Sequence, residues 1–139
     1  MNTLQEFLNA NPVDNLTEEV IISDRFKDKD GNIFKFKIKA MTNEDFEIAR
    51  KKAMKLNLQK GKKEMSFDNR AFNESIVINN TLYPDFKNTE SIKALGCMSP
   101  EQYLNKVLLS GEIAELAQQI QVLSGFEKDL SELAEEVKN

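Results

Sequence analysis

The feature that most constrains the fold is a strict alternation of apolar and lysine side chains between Ile33 and Ala40. A period of two places successive side chains on opposite faces of a strand, so this segment predicts a strand with one buried face. The side chains predicted to point inward are Phe34, Phe36 and Ile38, and those predicted to face water are Lys35, Lys37 and Lys39.

The predicted partner of this strand precedes it in the chain. Val20-Ile21-Ile22 is β-branched and opens a run towards Phe26, and Asp28-Lys29-Asp30-Gly31 has the composition of a turn. We therefore expect an antiparallel β-hairpin over about residues 19–40, in which Val20–Phe26 pairs with Ile33–Ala40.

From about residue 43 onwards the spacing of apolar residues changes from two to three or four, which predicts helices. Helix start signals stand at Thr42, Asp68 and Ser99-Pro100. The helix that follows Asp68 is expected to run to about Leu82. The buried stripe of the first of these helices is predicted to consist of Phe46, Ala49, Ala53 and Leu56.

The remaining segments complete a prediction of the fold class. Thr3 begins a short amphipathic helix, and residues 58–67 are predicted as either a second small hairpin or a mobile basic loop. The predicted fold is α+β and mainly α, with an N-terminal β-hairpin followed by a bundle of about five or six helices. We expect a single domain over residues 1–139, with its helical part at about residues 43–139.

The residue types that are missing exclude most enzyme classes. The 139 residues include no His and a single cysteine, Cys97. This excludes Ser-His-Asp, Cys-His and HExxH sites, as well as zinc sites rich in cysteine. Without a histidine Cys97 has no obvious base, so we interpret it as a partly buried structural thiol. The sequence predicts that the protein is not an enzyme.

The turn around Gly31 has only a superficial likeness to a calcium-binding loop. When Gly31 is aligned with the invariant glycine of an EF-hand, Phe26 and Lys37 fall at positions that require oxygen ligands. We therefore interpret the segment as a hairpin turn and predict no bound metal and no cofactor.

The sequence offers no sign of export or membrane insertion. Residues 1–9 contain Glu6 but neither Lys nor Arg, which argues against a signal peptide, and no uncharged apolar stretch is long enough to span a bilayer. An unpaired cysteine suits a reducing compartment. We expect a cytoplasmic protein that does not associate with membranes.

Two consecutive apolar stripes near the C-terminal end form the predicted partner-binding face. It consists of Ile113, Leu116, Ile120, Leu123, Phe126, Leu130 and Leu133. Stripes of this kind can bind a partner in the helix-in-groove mode. The same spacing is also typical of ordinary packing within one molecule, and the sequence leaves both interpretations open.

Several short segments, taken in their order, carry a resemblance that covers nearly the whole chain. They are Ser23–Asp28 with the turn and alternating strand that follow, Phe67-Asp68-Asn69, Tyr83-Pro84-Asp85-Phe86, Ser99-Pro100-Glu101, Leu108–Glu112, Gly125-Phe126 and Glu132–Asn139. In this order and spacing they resemble the XkdN-like tail assembly chaperones of phages and prophages of Gram-positive bacteria.

The resemblance implies a non-catalytic assembly factor that binds the tape measure protein, keeps it soluble and helps tail tube subunits assemble around it. It implies action in the cytoplasm of the bacterial host and absence from the finished virion. The tail tube protein is a further expected partner, and self-association is left open. The resemblance implies no catalytic, metal-binding or cofactor-binding residue.

Two other functions stay open from the sequence. One is a small nucleic-acid-binding phage regulator that uses the basic segment 25–63, which has thirteen basic and five acidic residues. The chain as a whole is acidic, with a net charge of −4, and no aromatic residue for base stacking lies between Arg50 and Met65, so nucleic acid is not the expected partner. The other is a structural component of the phage tail.

Overall fold

A computed structural model describes residues 3–59 and 61–126. Within these residues six α-helices and five β-strands follow one another, together with a single 3₁₀ turn at Val13–Asn15. In chain order they are α1 (Thr3–Ala10), β1 (Thr17–Val20), β2 (Phe36–Lys39), α2 (Asn43–Ala53), β3 (Met54–Gln59), β4 (Lys62–Phe67), α3 (Asn69–Asn80), β5 (Thr81–Tyr83), α4 (Thr89–Ala94), α5 (Pro100–Val107) and α6 (Ser110–Leu123). The predicted α+β class, mainly α and with a strand pair before most of the helices, is confirmed.

The predicted N-terminal hairpin is present, but its strands are shorter than expected. β1 pairs antiparallel with β2, and Val20 lies opposite Phe36. Phe36 and Ile38 are buried and Lys37 is exposed, which confirms the alternation over these positions. The pairing of Val20–Phe26 with Ile33–Ala40 was wrong over most of its length.

Residues 21–35 leave the sheet as a long connection in which Lys27 and Ile33 form an isolated antiparallel bridge. A carboxylate oxygen of Asp28 accepts hydrogen bonds from the backbone N–H groups of Asp30 and Asn32, which shapes the turn. Phe34 is 47% exposed, so its predicted inward position was wrong. The alternation in the sequence begins at Ile33, but the chain pairs with β1 only from Phe36 onwards.

β5 is a third strand that the sequence analysis did not predict. The helix after Asp68 ends at Asn80 rather than near Leu82, and Thr81–Tyr83 pairs antiparallel with β2. The three-stranded sheet therefore has the order β1-β2-β5. This pairing satisfies backbone hydrogen-bonding groups along the second edge of β2. These hydrogen bonds replace those that residues 81–83 would make if the helix continued.

Residues 58–67, which the sequence predicts to be either a second hairpin or a mobile loop, belong to a hairpin. β3 and β4 pair antiparallel around a tip that includes Gly61, whose φ of +76° favours glycine. The hairpin begins at Met54, directly after α2 ends, so it is longer than the predicted residues 58–67. Leu56 lies on β3, and its predicted place in the stripe of the preceding helix was wrong.

A single apolar cluster joins the sheet to the helices. α3 packs against α2, α5 and α6, and the side of the sheet that carries Phe36 and Ile38 completes the cluster. Its fully buried members include Ile76, Leu104 and Phe86. None of the helices within the described residues has the length and apolar run needed to cross a bilayer.

Candidate functional site

The predicted partner-binding face on α6 lies mostly inside the molecule. Leu116 and Ile120 have no exposed surface and belong to the apolar cluster, where α6 packs against α3. Ile113 and Leu123 are partly buried against the same cluster. A partner can contact Leu116 and Ile120 only if α6 leaves the core.

Among the described members of this face, Phe126 is the most exposed, at 48%. Its backbone N–H donates to the carbonyl oxygen of Gln121, which folds the chain back on the last turn of α6. Gly125 makes this turn with a φ of +105°. The other two predicted members, Leu130 and Leu133, lie outside the described residues.

A second apolar surface, which the sequence analysis did not assign, covers one side of the β3–β4 hairpin. Residues directly opposite each other in an antiparallel pair share a face. The register places Met54 opposite Phe67, Leu56 opposite Met65 and Leu58 opposite Lys63. We call the apolar members of this set the hairpin face: Met54, Leu56, Leu58, Met65 and Phe67.

The hairpin face is open to solvent along most of its length. Met54 is partly buried, and exposure of the other members rises from 41% at Phe67, close to the body of the molecule, to 69% at Leu58, close to the tip. A two-stranded hairpin has no second layer of its own, so its apolar side must be covered by another element or by a partner. The face therefore has the character of an interaction surface.

Basic residues are concentrated in the hairpin and in the helix turn before it. The stretch from residue 50 to residue 63 contains seven basic residues and no acidic residue. Within it, Lys55 forms an ion pair with Asp68 at 3.0 Å. The register places Lys63 on the same side as the hairpin face, opposite Leu58. The hairpin therefore combines apolar side chains with a net positive charge, which favours a partner that is apolar and acidic.

A row of four phenylalanine rings connects the hairpin face to the end of α6. The ring of Phe67 lies 5.5 Å from that of Phe72, which lies 5.6 Å from that of Phe46. The ring of Phe46 in turn lies 5.2 Å from that of Phe126. The two exposed apolar surfaces are thus joined by continuous aromatic contacts, which we call the aromatic row.

A signal for the hairpin face is present in the sequence. Apolar side chains at Met54, Leu56 and Leu58 alternate with polar ones, and Met65 and Phe67 repeat the period of two after Gly61. Leu56 also fits the helical spacing of the preceding stripe. The two periods overlap at this residue, and the structure follows the period of two.

The long β1–β2 connection is fixed to the start of α6 by a partly buried ion pair. The Arg25 guanidinium donates to both carboxylate oxygens of Glu112, at 2.9 and 2.6 Å, and also to the carbonyl oxygen of Val107. Glu112 is 5% exposed, whereas Arg25 is 44% exposed and lies over the ring of Phe26. The ion pair therefore joins two segments that are distant in sequence, the β1–β2 connection and the junction of α5 with α6.

The environment of Glu112 strongly favours its ionised form. The hydrogen bonds from Arg25, together with one from the backbone N–H of Leu109, lower the pKa of Glu112 from 4.5 to about 2, against the opposing effect of burial. The bond to Leu109 also caps α6, because it satisfies a free N–H group at the helix N-terminus. This ion pair is structural and positions no reactive group.

Cys97 lies beside a polar cleft between α3 and α5 and is partly buried, as the sequence analysis expected. Its thiol is 3.8 Å from the carbonyl oxygen of Leu95. The cleft is lined by Arg70, Glu74 and Asn105, whose side chains hydrogen-bond to one another. Within residues 3–59 and 61–126 no group of three or more His, Cys, Asp or Glu side chains is arranged to hold a metal ion.

Comparisons with known proteins identify relatives over nearly the whole chain. A family model described as "Phage XkdN-like tail assembly chaperone protein" matches residues 4–138. Two proteins of Bacillus subtilis (strain 168), the phage-like element PBSX protein XkdN and the uncharacterized protein YqbN, are each 34% identical over 123 residues, which cover 87% of this chain and 83% of the relative. The crystal structure of YqbN matches with a TM-score of 0.67 and 28% identity, over 91% of this chain and 98% of the other.

Proposed function

Because the chain belongs to the XkdN-like family of phage tail assembly chaperones, we propose that it binds the tape measure protein during tail assembly and catalyses no reaction. The observation that carries the proposal is the match to this family over residues 4–138. In this proposal the protein acts in the cytoplasm of the bacterial host and leaves before the virion is complete. The tail tube protein is a second proposed partner.

The surface of the molecule supports binding through apolar contacts. A tape measure protein is expected to be a long helix-forming chain whose apolar residues need cover until tube subunits surround it. The hairpin face and Phe126 are apolar surfaces that remain open to solvent within the described residues. Such contacts concentrate binding energy in a few buried anchors, while charged residues around them keep the protein soluble.

We propose that the anchors lie in the C-terminal part of the chain, at Phe126, Leu130 and Leu133. Ile113 and Leu123, at the border of the core, extend this surface along α6. Leu116 and Ile120 join it only if α6 detaches, which would cost the burial of two large side chains. Phe126, Leu130 and Leu133 are therefore the first residues to test.

The proposal is tested by co-purification with the tape measure protein of the same phage. A tagged chain should retain the tape measure protein at low salt and also at about 1 M salt, where exposed charges interact over only about 3 Å. Loss of the complex at high salt would contradict an apolar contact. Failure to retain the tape measure protein at any salt concentration would contradict the proposed function.

The same preparations distinguish the two other functions. A regulator that uses residues 25–63 would shift a DNA or RNA probe at low salt and release it as salt is raised. A structural tail component would be found in purified phage particles in a fixed ratio to the tail tube protein. The proposed chaperone does neither.

A further inference from the structure

We propose that the hairpin face is a docking surface for the chain's own C-terminal segment, residues 127–139, within the same molecule. The surface lacks an apolar neighbour over Leu56, Leu58 and Met65 among the described residues, where all three are exposed. The inference concerns the isolated chain and does not depend on the identity of any phage partner.

The path of the chain leads towards this surface. Residue 127 follows Phe126, which is the first ring of the aromatic row, and the last ring of the row is Phe67 on the hairpin face. Each ring-to-ring step is between 5.2 and 5.6 Å. The aromatic row therefore runs, in three ring-to-ring steps, from the residue before the segment to the Phe67 end of the hairpin face.

The length of the segment matches the length of the surface. Thirteen residues in helical conformation span about 20 Å, at about 1.5 Å per residue. Six strand residues, as in β3 and β4, also span about 20 Å, at about 3.3 Å per residue. As a helix, the segment is therefore about as long as the hairpin face.

The chemistry of the two partners is complementary. The segment has an apolar stripe at helical spacing, which consists of Leu130, Leu133, Ala134 and Val137. Its other positions include five acidic and two basic residues, whereas residues 50–63 have seven basic and no acidic residue. Apolar contact in the middle and opposite charges at the border are the pattern of a helix bound on a specific surface.

In the docked form, Leu130 and Leu133, the two proposed anchors for the tape measure protein, would pack against the hairpin face of the same chain. A partner that binds these leucines would then have to replace the contact with the hairpin face. The protein would expose less apolar surface before it meets its partner, which reduces the risk of aggregation.

Disulfide trapping in the full-length chain tests the proposal without any partner. In a Cys97→Ser background, the test variant carries Met65→Cys with Leu133→Cys. The matched control carries Glu64→Cys with Leu133→Cys, because Glu64 is the neighbouring residue on the opposite face of the same strand. A second test pair replaces Leu133→Cys with Leu130→Cys, and it covers the adjacent helical turn.

The Met65 pairs should form intramolecular disulfides at least about tenfold faster than the Glu64 control, because docking raises the effective concentration of the two thiols. Equal rates for both hairpin positions with both tail cysteines would overturn the proposal. Disulfide-linked dimers as the main product would also overturn it, because the occupant would then be a second copy.

Two charge-reversal variants test the border of the contact. Lys62→Glu with Lys63→Glu should slow formation of the Met65–tail disulfide about threefold or more, since like charges would then face each other. The matched control is Lys27→Glu with Lys29→Glu, which places the same charge change in the β1–β2 connection. Equal slowing by the two variants would contradict the charge complementarity that the proposal requires.

Discussion

At the scale of single residues, Glu112 shows how one buried carboxylate organises distant parts of the chain. It accepts hydrogen bonds from Arg25, which comes from the β1–β2 connection, and from the backbone of Leu109 at the start of α6. An ionised carboxylate in a buried position is stable only with such partners. Residues that are 87 positions apart in the sequence are joined at this point.

Glu112→Gln should lower the free energy of unfolding by about 1–2 kcal/mol at neutral pH. The amide cannot form the ion pair, and solvent around the half-exposed Arg25 keeps the loss near the lower end for charged hydrogen bonds. Urea unfolding measures the change. Glu115→Gln, on an exposed position of the same helix, is the control and should stay within about 0.5 kcal/mol of wild type.

The contribution of Glu112 to stability should depend on pH in a defined direction. The folded-state pKa of about 2 lies below the ordinary value of 4.5. The contribution is therefore complete above the ordinary value and is lost as the pH falls from about 5 towards 2. The stability difference between wild type and Glu112→Gln should shrink over this range, and a difference that grows on acidification would contradict the assignment.

Phe36 and its neighbour Lys37 test the alternation that sets the fold. Phe36 is buried in the apolar cluster, so Phe36→Ala should cost about 3–5 kcal/mol of unfolding free energy. Lys37→Ala, on the exposed face, should cost no more than about 0.5 kcal/mol. Chemical denaturation of both variants checks this, and equal destabilisation would show that the strand is not buried on one face only.

At the scale of elements, helix starts were predictable because they are local. Thr42, Asp68 and Ser99 each accept a hydrogen bond from the backbone N–H three residues later, as expected of N-caps. β5 and the root of the hairpin were not predictable in this way. The conformation of β5 depends on pairing with β2, which is distant in sequence. The root of the hairpin directly follows α2, where the helical spacing of apolar residues gives way to a period of two.

Two serines at helix starts provide a matched test of capping. Ser99 caps α5 with its side chain, whereas Ser110 is the first residue of α6 and lies after the N-cap. Ser99→Ala should therefore lower stability by about 1 kcal/mol, and Ser110→Ala should change it by less than about 0.5 kcal/mol. Thermal or urea unfolding of the two variants measures these changes, and equal destabilisation by both would contradict the assignment of Ser99 as the N-cap.

The turn at Asp28 should fold without metal. Its carboxylate already accepts hydrogen bonds from Asp30 and Asn32, so its oxygens shape the turn. The melting temperature should be the same with calcium, with zinc and with a chelator, because a ligand that binds only the native state would raise it. A melting temperature that rises with either metal and falls with the chelator would contradict this prediction.

At the scale of the whole molecule, the apolar stripes could be located in the sequence, but whether each stripe faces the core or the solvent could not be predicted. The stripe that contains Leu116 and Ile120 could equally belong to a core or to a binding surface, and the structure places both residues in the core. The exposed hairpin face was missed because a partly apolar hairpin and a mobile loop have similar compositions. Only the tertiary arrangement separates buried from exposed stripes.

The most direct test of the proposed chaperone function is the soluble fraction of the phage's tape measure protein after co-expression. Wild type should keep it soluble, and so should the control Glu132→Gln with Glu135→Gln, which changes only polar residues of the C-terminal segment. Leu130→Asp with Leu133→Asp, verified to remain folded by its melting curve, should leave the tape measure protein insoluble. If this variant performs as well as wild type, the proposed anchors are wrong. If wild type leaves as much tape measure protein insoluble as expression without the chain does, the proposed function itself is contradicted.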